Sequence, residues 1–294
     1  MYGQNVPRAQ FGNRGFGQSG YSSSRRGCGG ARLLIGLAMA AFALISYFGS
    51  SVYNPVTGEN QHVTITEEQE VALGLQSAPE MAQQFGGLHP DEQARAHVAA
   101  IGERIVANSA AAQSQYPFKF HLLADQQTVN AFALPGGQIF ITDALYSRLQ
   151  TEGQLAGVLG HEVGHVVGRH SAEHIAKQQL TQGLTGAVVL STYDPNDPSS
   201  QRTAQIAMVI GQLVNMKFGR EDELESDHLG VRFIGEAGYD PRALIGVMRI
   251  LEEAGGGRPP EFFSTHPHSD TRIAEIEEAI QRQFPGGVPE GLKQ

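Results

Sequence analysis

The stretch "GVLGHEVGHVVGRHSAEH", Gly157 to His174, decides the fold. It sets four histidines, His161, His165, His170 and His174, among Val, Leu and Gly. The apolar period predicts a helix opening near Thr151. On that helix His165 lies one turn beyond His161 and about 40° round, so both imidazoles reach one metal ion. Glu162 sits about 100° round, on the flank of that face. There it reaches a water on the metal without being a ligand. This is the physical content of an HExxH spacing, and two imidazoles suit zinc. Val158, Leu159, Val163, Val166 and Val167 would bury the helix, and polar groups in a buried helix need partners that a metal supplies.

An unbroken helix places His170 about 180° from His161, with His174 also on the far side. That pair is therefore read as bonding to neighbouring helices; only a break in the helix could bring it toward the same metal. The pattern HExxHxxGxxH is excluded. Gly168 fills its glycine position, but Ser171 stands where the third histidine would be. The third ligand must come from elsewhere.

The stretch "FGREDELESDHLGVRFIGEAGYDP" is the place to look. Its acids are Glu221, Asp222, Glu223, Glu225 and Asp227, and a solvated acidic face is the plain reading of such a run. Glu223 and Asp227 are one turn apart and share a face, and the helix continues as apolar through Leu229, Val231, Phe233 and Ile234. A Glu ligand, with an Asp one turn on bonding a ligand histidine from behind, is a sound zinc arrangement. Glu225 points about 160° away from Asp227 and is the weaker ligand candidate.

"HEVGH" followed by "GREDELESDHLG" resembles the zinc metalloendopeptidases of peptidase family M48, which includes CAAX prenyl endopeptidases and HtpX-type and Oma-type proteases. The stretches "NPVTGENQHVTITEEQEVALG", "NAFALPGGQIFIT" and "FFSTHPHSDTRIAEIE" resemble its single-pass periplasmic branch. The resemblance runs over residues 54–285. It implies a gluzincin-type zincin domain binding one Zn(2+) per chain. His161, His165 and Glu223 would be ligands, Glu162 the catalytic base, and Asp227 the support behind a ligand. It further implies roles for His266 and Arg272, since similar members carry a His-Pro and a following Arg at this spacing. Either would stabilise the oxyanion; His266 could instead be a fourth ligand that keeps the enzyme latent. His228 and His268 are read as structural. Asn130, Ala131 and Phe132 are the expected edge strand on which an extended peptide lies.

Outward from this centre, the chain falls into three zones. Residues 1–31 are rich in Gly, Ser and Arg and read as a disordered cytoplasmic tail. Residues 32–53 read as a transmembrane helix, since the run from Leu33 to Val52 carries no charge and about 20 residues span a bilayer core. A cleaved signal peptide is the competing reading. Tyr47 and Tyr53 would mark the far interface. Residues 54–294 read as the peptidase domain, class α+β: mostly helical with a small antiparallel sheet, its strands in "FKFHLLAD" and "VNAFALPGGQIFIT". Thr66 and Asp91 are the expected caps of two amphipathic helices. "TYDPNDPSSQ", Tyr193 to Gln201, reads as a loop.

Charge supports this layout. Arg8, Arg14, Arg25, Arg26 and Arg32 precede the apolar run, and all 30 Asp and Glu follow residue 58. The positive-inside rule then puts the N-terminus in the cytoplasm and the domain outside, in the periplasm. So acidic a domain excludes nucleic acid as a partner. Cys28 is the single cysteine, so no intramolecular disulfide forms. The expected activity is zinc-dependent cleavage of polypeptides, misfolded or misassembled envelope proteins, at the inner membrane. The alternative is a chaperone-like binding module with latent or structural zinc.

Overall fold

The computed structural model describes residues 28–192, 218–254, 260–267 and 271–294. The expected tail up to residue 27, the Tyr193–Gln201 loop and His268 lie outside those residues.

Helix α1, Cys28–Gly49, starts and ends earlier than the expected 32–53. Val52 and Tyr53 instead belong to strand β1, Ser51–Tyr53, which pairs antiparallel with β2, Asn60–His62. Tyr47 stacks its ring on His62 at 4.7 Å. Among the described residues one helical segment, Gly30–Gly49, is long and apolar enough to cross a membrane.

Helices α2, Glu67–Gln84, and α3, Glu92–Ala107, begin at the expected caps. Thr66 forms a reciprocal capping box with Gln69, and Asp91 accepts from the amides of Gln93 and Ala94. A short 3-10 turn, Ala110–Gln113, leads to strands β3, Lys119–Leu123, β4, Ala131–Leu134, and β5, Gln138–Thr142. The β4–β5 turn needs left-handed backbone at Gly136 (φ 75°) and Gly137 (φ 97°), which glycine supplies. Strand order is β3-β5-β4. β3 runs parallel to β5, so the sheet is mixed, where an antiparallel one was expected. β5 is buried along its whole length. The most buried strand takes the centre, and the chain reaches β4 by passing from β3 to the other side of it.

The rest of the described chain is helical, and the class is α+β as expected. It contains α4, Asp143–Tyr146, α5, Glu152–Val167, α6, His170–Thr192, and α7, Arg220–Glu236. α8, Ala243–Ala254, α9, Phe262–Thr265, and α10, Arg272–Gln283, follow. α5 is the axis of the domain. Every residue from Leu155 to Val167 is buried, among α3, α7, α8 and the sheet. Burying Leu159 or Val163 there contributes about 1.5–3 kcal/mol each. α5 and α7 cross closely through glycine. A Cβ at Gly164 would lie 2.9 Å from the Ser226 carbonyl oxygen, and one at Gly160 would lie 2.4 Å from Ile234 Cγ2. That approach carries the acids of α7 to the histidines of α5.

The expected continuous helix through His174 is interrupted. α5 ends at Val167 and α6 begins at His170, with Arg169 between them at φ 54°. A left-handed residue other than glycine costs roughly 1–2 kcal/mol. Side chains from the segment after α1 hold the break. Asn54 donates to the Val167 carbonyl at 2.7 Å, and Gln61 donates to that of Gly168. Arg169 donates to buried Glu70 at 2.9 Å and to the Ile65 carbonyl at 3.1 Å.

Candidate metal centre

Four donors converge: His161 and His165 from α5, Glu223 from α7, and His266 just after α9. Among the described residues, their ligating atoms all lie within 4.8 Å of one another, and all four residues are buried. His161 Nε2 and His165 Nε2 are 3.0 Å apart. Glu223 puts Oε1 3.3 Å from His165 Nε2 and Oε2 3.7 Å from His161 Nε2. His266 Nδ1 lies 3.0 Å from Glu223 Oε1 and 3.3 Å from His161 Nε2. Ligands at 2.0–2.1 Å in a tetrahedron round zinc are about 3.3 Å from each other. The donor spacing and the imidazole–carboxylate chemistry both fit that ion.

Hydrogen bonds behind the donors orient their lone pairs. Asp227 Oδ1 lies 2.9 Å from His161 Nδ1 and accepts its proton, which leaves Nε2 facing the centre. His165 Nδ1 is 2.9 Å from His170 Nδ1, and His170 Nε2 is 3.1 Å from Glu225 Oε2. One proton order satisfies the chain: His165 donates to His170, and His170 donates to Glu225. His174 Nε2 meets Asp222 Oδ2 at 3.1 Å. Both histidines thus bond to a neighbouring helix as expected, but His170 also backs a metal donor. A Cβ on Gly168 would stand 2.6 Å from His170 Nε2, so the break and the glycine together admit this ring. Phe218 stacks on His165 at 4.4 Å. The sequence reading missed both His170 as a support and Phe218 as a cover. The i, i+5 offset of His170 from His165 has no meaning on an unbroken helix, and a lone Phe carries no signal.

Arg272, expected as an oxyanion donor, lies beside the donors and pairs with two acids. It is 1% exposed, and its guanidinium clamps the acids of α7. Nε lies 2.7 Å from Asp227 Oδ2, Nη2 3.0 Å from Asp227 Oδ1, and Nη1 3.0 Å from Glu223 Oε2. Nη1 meets Glu223 as an ion pair and makes no hydrogen bond among the described residues. Burial opposes ionisation of Asp227, but Arg272 and His161 outweigh it and hold its pKa down at about 2. Burial likewise opposes Glu223, yet His266 and His165 keep it well below the usual carboxylate range. Burial lowers the pKa of His165 well below that of free imidazole, so the ring stays neutral, as a ligand must.

Glu162 is the exception among these acids. Both its oxygens are buried and accept no hydrogen bond among the described residues; His266 Nε2 is 3.6 Å from Oε1. Burial pushes its pKa up, against the pull of His266 and His161. A carboxylate left without a donor beside these four side chains is free to take a proton. His266 is stacked on Phe262 at 4.4 Å, and its pKa is set by burial lowering it and by Glu162 and Glu223 raising it more.

Asn130, Ala131 and Phe132 lie just before and on β4, the edge of its sheet beside α5. All three are buried, and the Val129 carbonyl ahead of them accepts from the Phe262 amide at 3.2 Å. β4 is an edge strand, and α9 bonds to the chain two residues before it begins. His228 lies away from the centre, 3.5 Å from Arg282.

The family described as Peptidase family M48 matches residues 92–280. The "Beta-barrel assembly-enhancing protease" of Escherichia coli (strain K12) is 28% identical over 265 residues, 87% of this chain and 52% of that protein. The "Mitochondrial metalloendopeptidase OMA1" of Schizosaccharomyces pombe is 30% identical over 248 residues, 82% of this chain and 70% of that protein. The Arabidopsis thaliana protein of that name is 33% identical over 159 residues, 54% of this chain and 31% of the relative. The chain spans about half the length of the bacterial relatives it matches. The matched residues include all four donors: the chain belongs to peptidase family M48.

Proposed function

We propose that this protein is a membrane-anchored zinc endopeptidase that hydrolyses polypeptides. The observation that carries the reading is Glu162, a buried carboxylate without a hydrogen-bond donor, placed beside a cluster of four metal donors. His161, His165 and Glu223 would hold the ion. When bound, zinc supplies Lewis-acid polarisation of the scissile carbonyl and acidifies the attacking water. Glu162 takes the water's proton and delivers it to the leaving amine, and its raised pKa suits both halves of that task. Asp227 and the His170–Glu225 pair aim the ligand imidazoles. Arg272 fixes Glu223 and Asp227 to each other.

α1 serves as the anchor, with the N-terminus in the cytoplasm and the domain in the periplasm, at an inner membrane. The names of the relatives, one an assembly-enhancing protease, point to misfolded or misassembled envelope proteins as substrates. Asn130–Phe132 take the substrate backbone once α9 moves aside.

His266 acts first as a brake. Its Nδ1 stands with the other donors, so it would compete with water for the ion. After it withdraws, it becomes the residue that meets the oxyanion.

Zinc content and casein cleavage test these roles together on full-length protein. Glu162→Gln keeps about one zinc per chain and loses cleavage by roughly 10²–10⁴-fold. Equal activity of the two proteins would remove Glu162 as the base. Zinc without cleavage in either protein would favour the chaperone-like binding reading, unless His266→Ala switches cleavage on, which would establish the brake.

A further inference from the structure

The largest exposed apolar surface among the described residues follows α1, where Leu34, Phe42, Ile45 and Phe48 are each more than 60% exposed. One side of α1 is covered, by α6. A Cβ on Gly183 would meet Ala43 Cβ at 2.7 Å, and one on Gly186 would lie 3.6 Å from Met39 Cε. Rising along α6 descends α1, so the two helices pack antiparallel. A groove of about 500 Å³ runs between them, lined by Ile35, Met39, Phe42, Tyr47 and Leu180 among others.

The depths of the two helices can be matched, on the reading above that α1 spans a membrane. The 20 residues Gly30–Gly49 measure about 30 Å, one hydrocarbon thickness. With Gly49 at one face, Ala43 lies about 9 Å inside and Met39 about 15 Å inside, near the midplane. Gly183 and Gly186 share those depths. Counting back from Gly183, Lys177 lies about 9 Å higher, level with Gly49. Lys177 is also the last charged residue of α6. From Gln178 to Thr192 the helix has no charge, and "GLTGAVVL", Gly183 to Leu190, has nothing more polar than Thr185. The charge stops where the helix would meet the bilayer, although nothing in an aqueous helix requires it to stop there. A lysine carried to the membrane centre would cost roughly 3 kcal/mol.

We propose that α6 beyond Lys177 lies in the same membrane as α1, packed on it through Gly183 and Gly186 and exposed to acyl chains on its other flank. Two helices in contact along this length share one medium, and a helix keeps its backbone groups bonded in lipid. Small residues let the pair approach closely, as helices in lipid do. His170, which backs His165, is only seven residues above Lys177. The metal centre is thereby held within about 10 Å of the bilayer surface, by a second tether independent of the chain between α1 and the domain.

The chain contains no tryptophan, so one introduced indole reports one position. Full-length protein carrying Phe42→Trp, Leu184→Trp or Leu88→Trp is reconstituted in phosphatidylcholine–phosphatidylglycerol vesicles, with and without bromine on the acyl chains. Bromination should quench the α1 and α6 reporters to a similar extent and leave Leu88→Trp, on the domain surface, unchanged. Gln182→Trp, exposed on α6, is the second reporter if Leu184→Trp does not fold. Quenching of Phe42→Trp without quenching of the α6 reporters overturns the proposal and leaves α1 as a span. No quenching at Phe42 or at α6 overturns both. Quenching of α6 alone removes α1 as the anchor and, with it, the shared depth argued here.

Discussion

A histidine offers a metal its lone pair only when its other nitrogen is protonated and aimed at an acceptor. His161 does this with a carboxylate, Asp227; His165 does it through a second ring, His170, backed by Glu225. Removing such a support typically weakens metal affinity about 10–100-fold. Glu225→Ala should therefore raise the zinc dissociation constant by that factor, measured by chelator competition, while the metal-free protein keeps its melting temperature. A loss of melting temperature with unchanged affinity would make Glu225 merely structural. Asp227 gives a pH prediction. Its folded pKa, about 2, lies below the ordinary 3.8, so its stabilisation is present above pH 4 and is lost as pH falls toward 2. The shift corresponds to about 2 kcal/mol. Denaturation of metal-free wild type and Asp227→Asn should show a gap near pH 5 that closes toward pH 2. A gap that stayed constant would remove the Arg272–Asp227 pairing as its source.

At the scale of elements, the centre depends on how closely α5 and α7 cross. Gly164 meets the Ser226 backbone, which cannot rotate away as a side chain could. Gly164→Ala should force the helices apart, destabilising the fold by about 1–3 kcal/mol and weakening zinc binding as well. An alanine variant with native stability and native zinc affinity would show that the crossing has slack. The spacing His161–His165 and the spacing Glu223–Asp227 were both legible beforehand, because each follows from a single helical period. The break at Arg169 was not. It depends on Asn54, Gln61 and Glu70, more than a hundred residues or nearly so away in sequence, and nothing local to "VVGRHS" announces them. The direction of β3 escaped for a similar reason. Alternation shows that a strand exists, and only its neighbours say which way it runs.

For the whole molecule, a bound metal would clasp together α5, α7 and the residue after α9, which carry the four donors. Binding at a thousand times the dissociation constant stabilises by about 4 kcal/mol, which in a domain of this size moves the melting point by roughly 10 °C. Calorimetry with and without a chelator should show that drop, and zinc should restore it. An unchanged melting point would mean that the four donors hold no ion.

By itself the sequence determined the chemistry: which face of α5 carries two imidazoles, which acid stands beside them, which helix brings the third donor, and where an apolar span precedes an acidic domain. These are properties of a helical or strand period and of local charge, so they can be read along one element at a time. Tertiary structure alone decided that His266 stands among the donors, that Arg272 bridges Glu223 and Asp227, that His170 backs His165, and that α6 lies against α1. Each of those depends on the distance between side chains far apart in sequence, and that distance is set by how the helices pack.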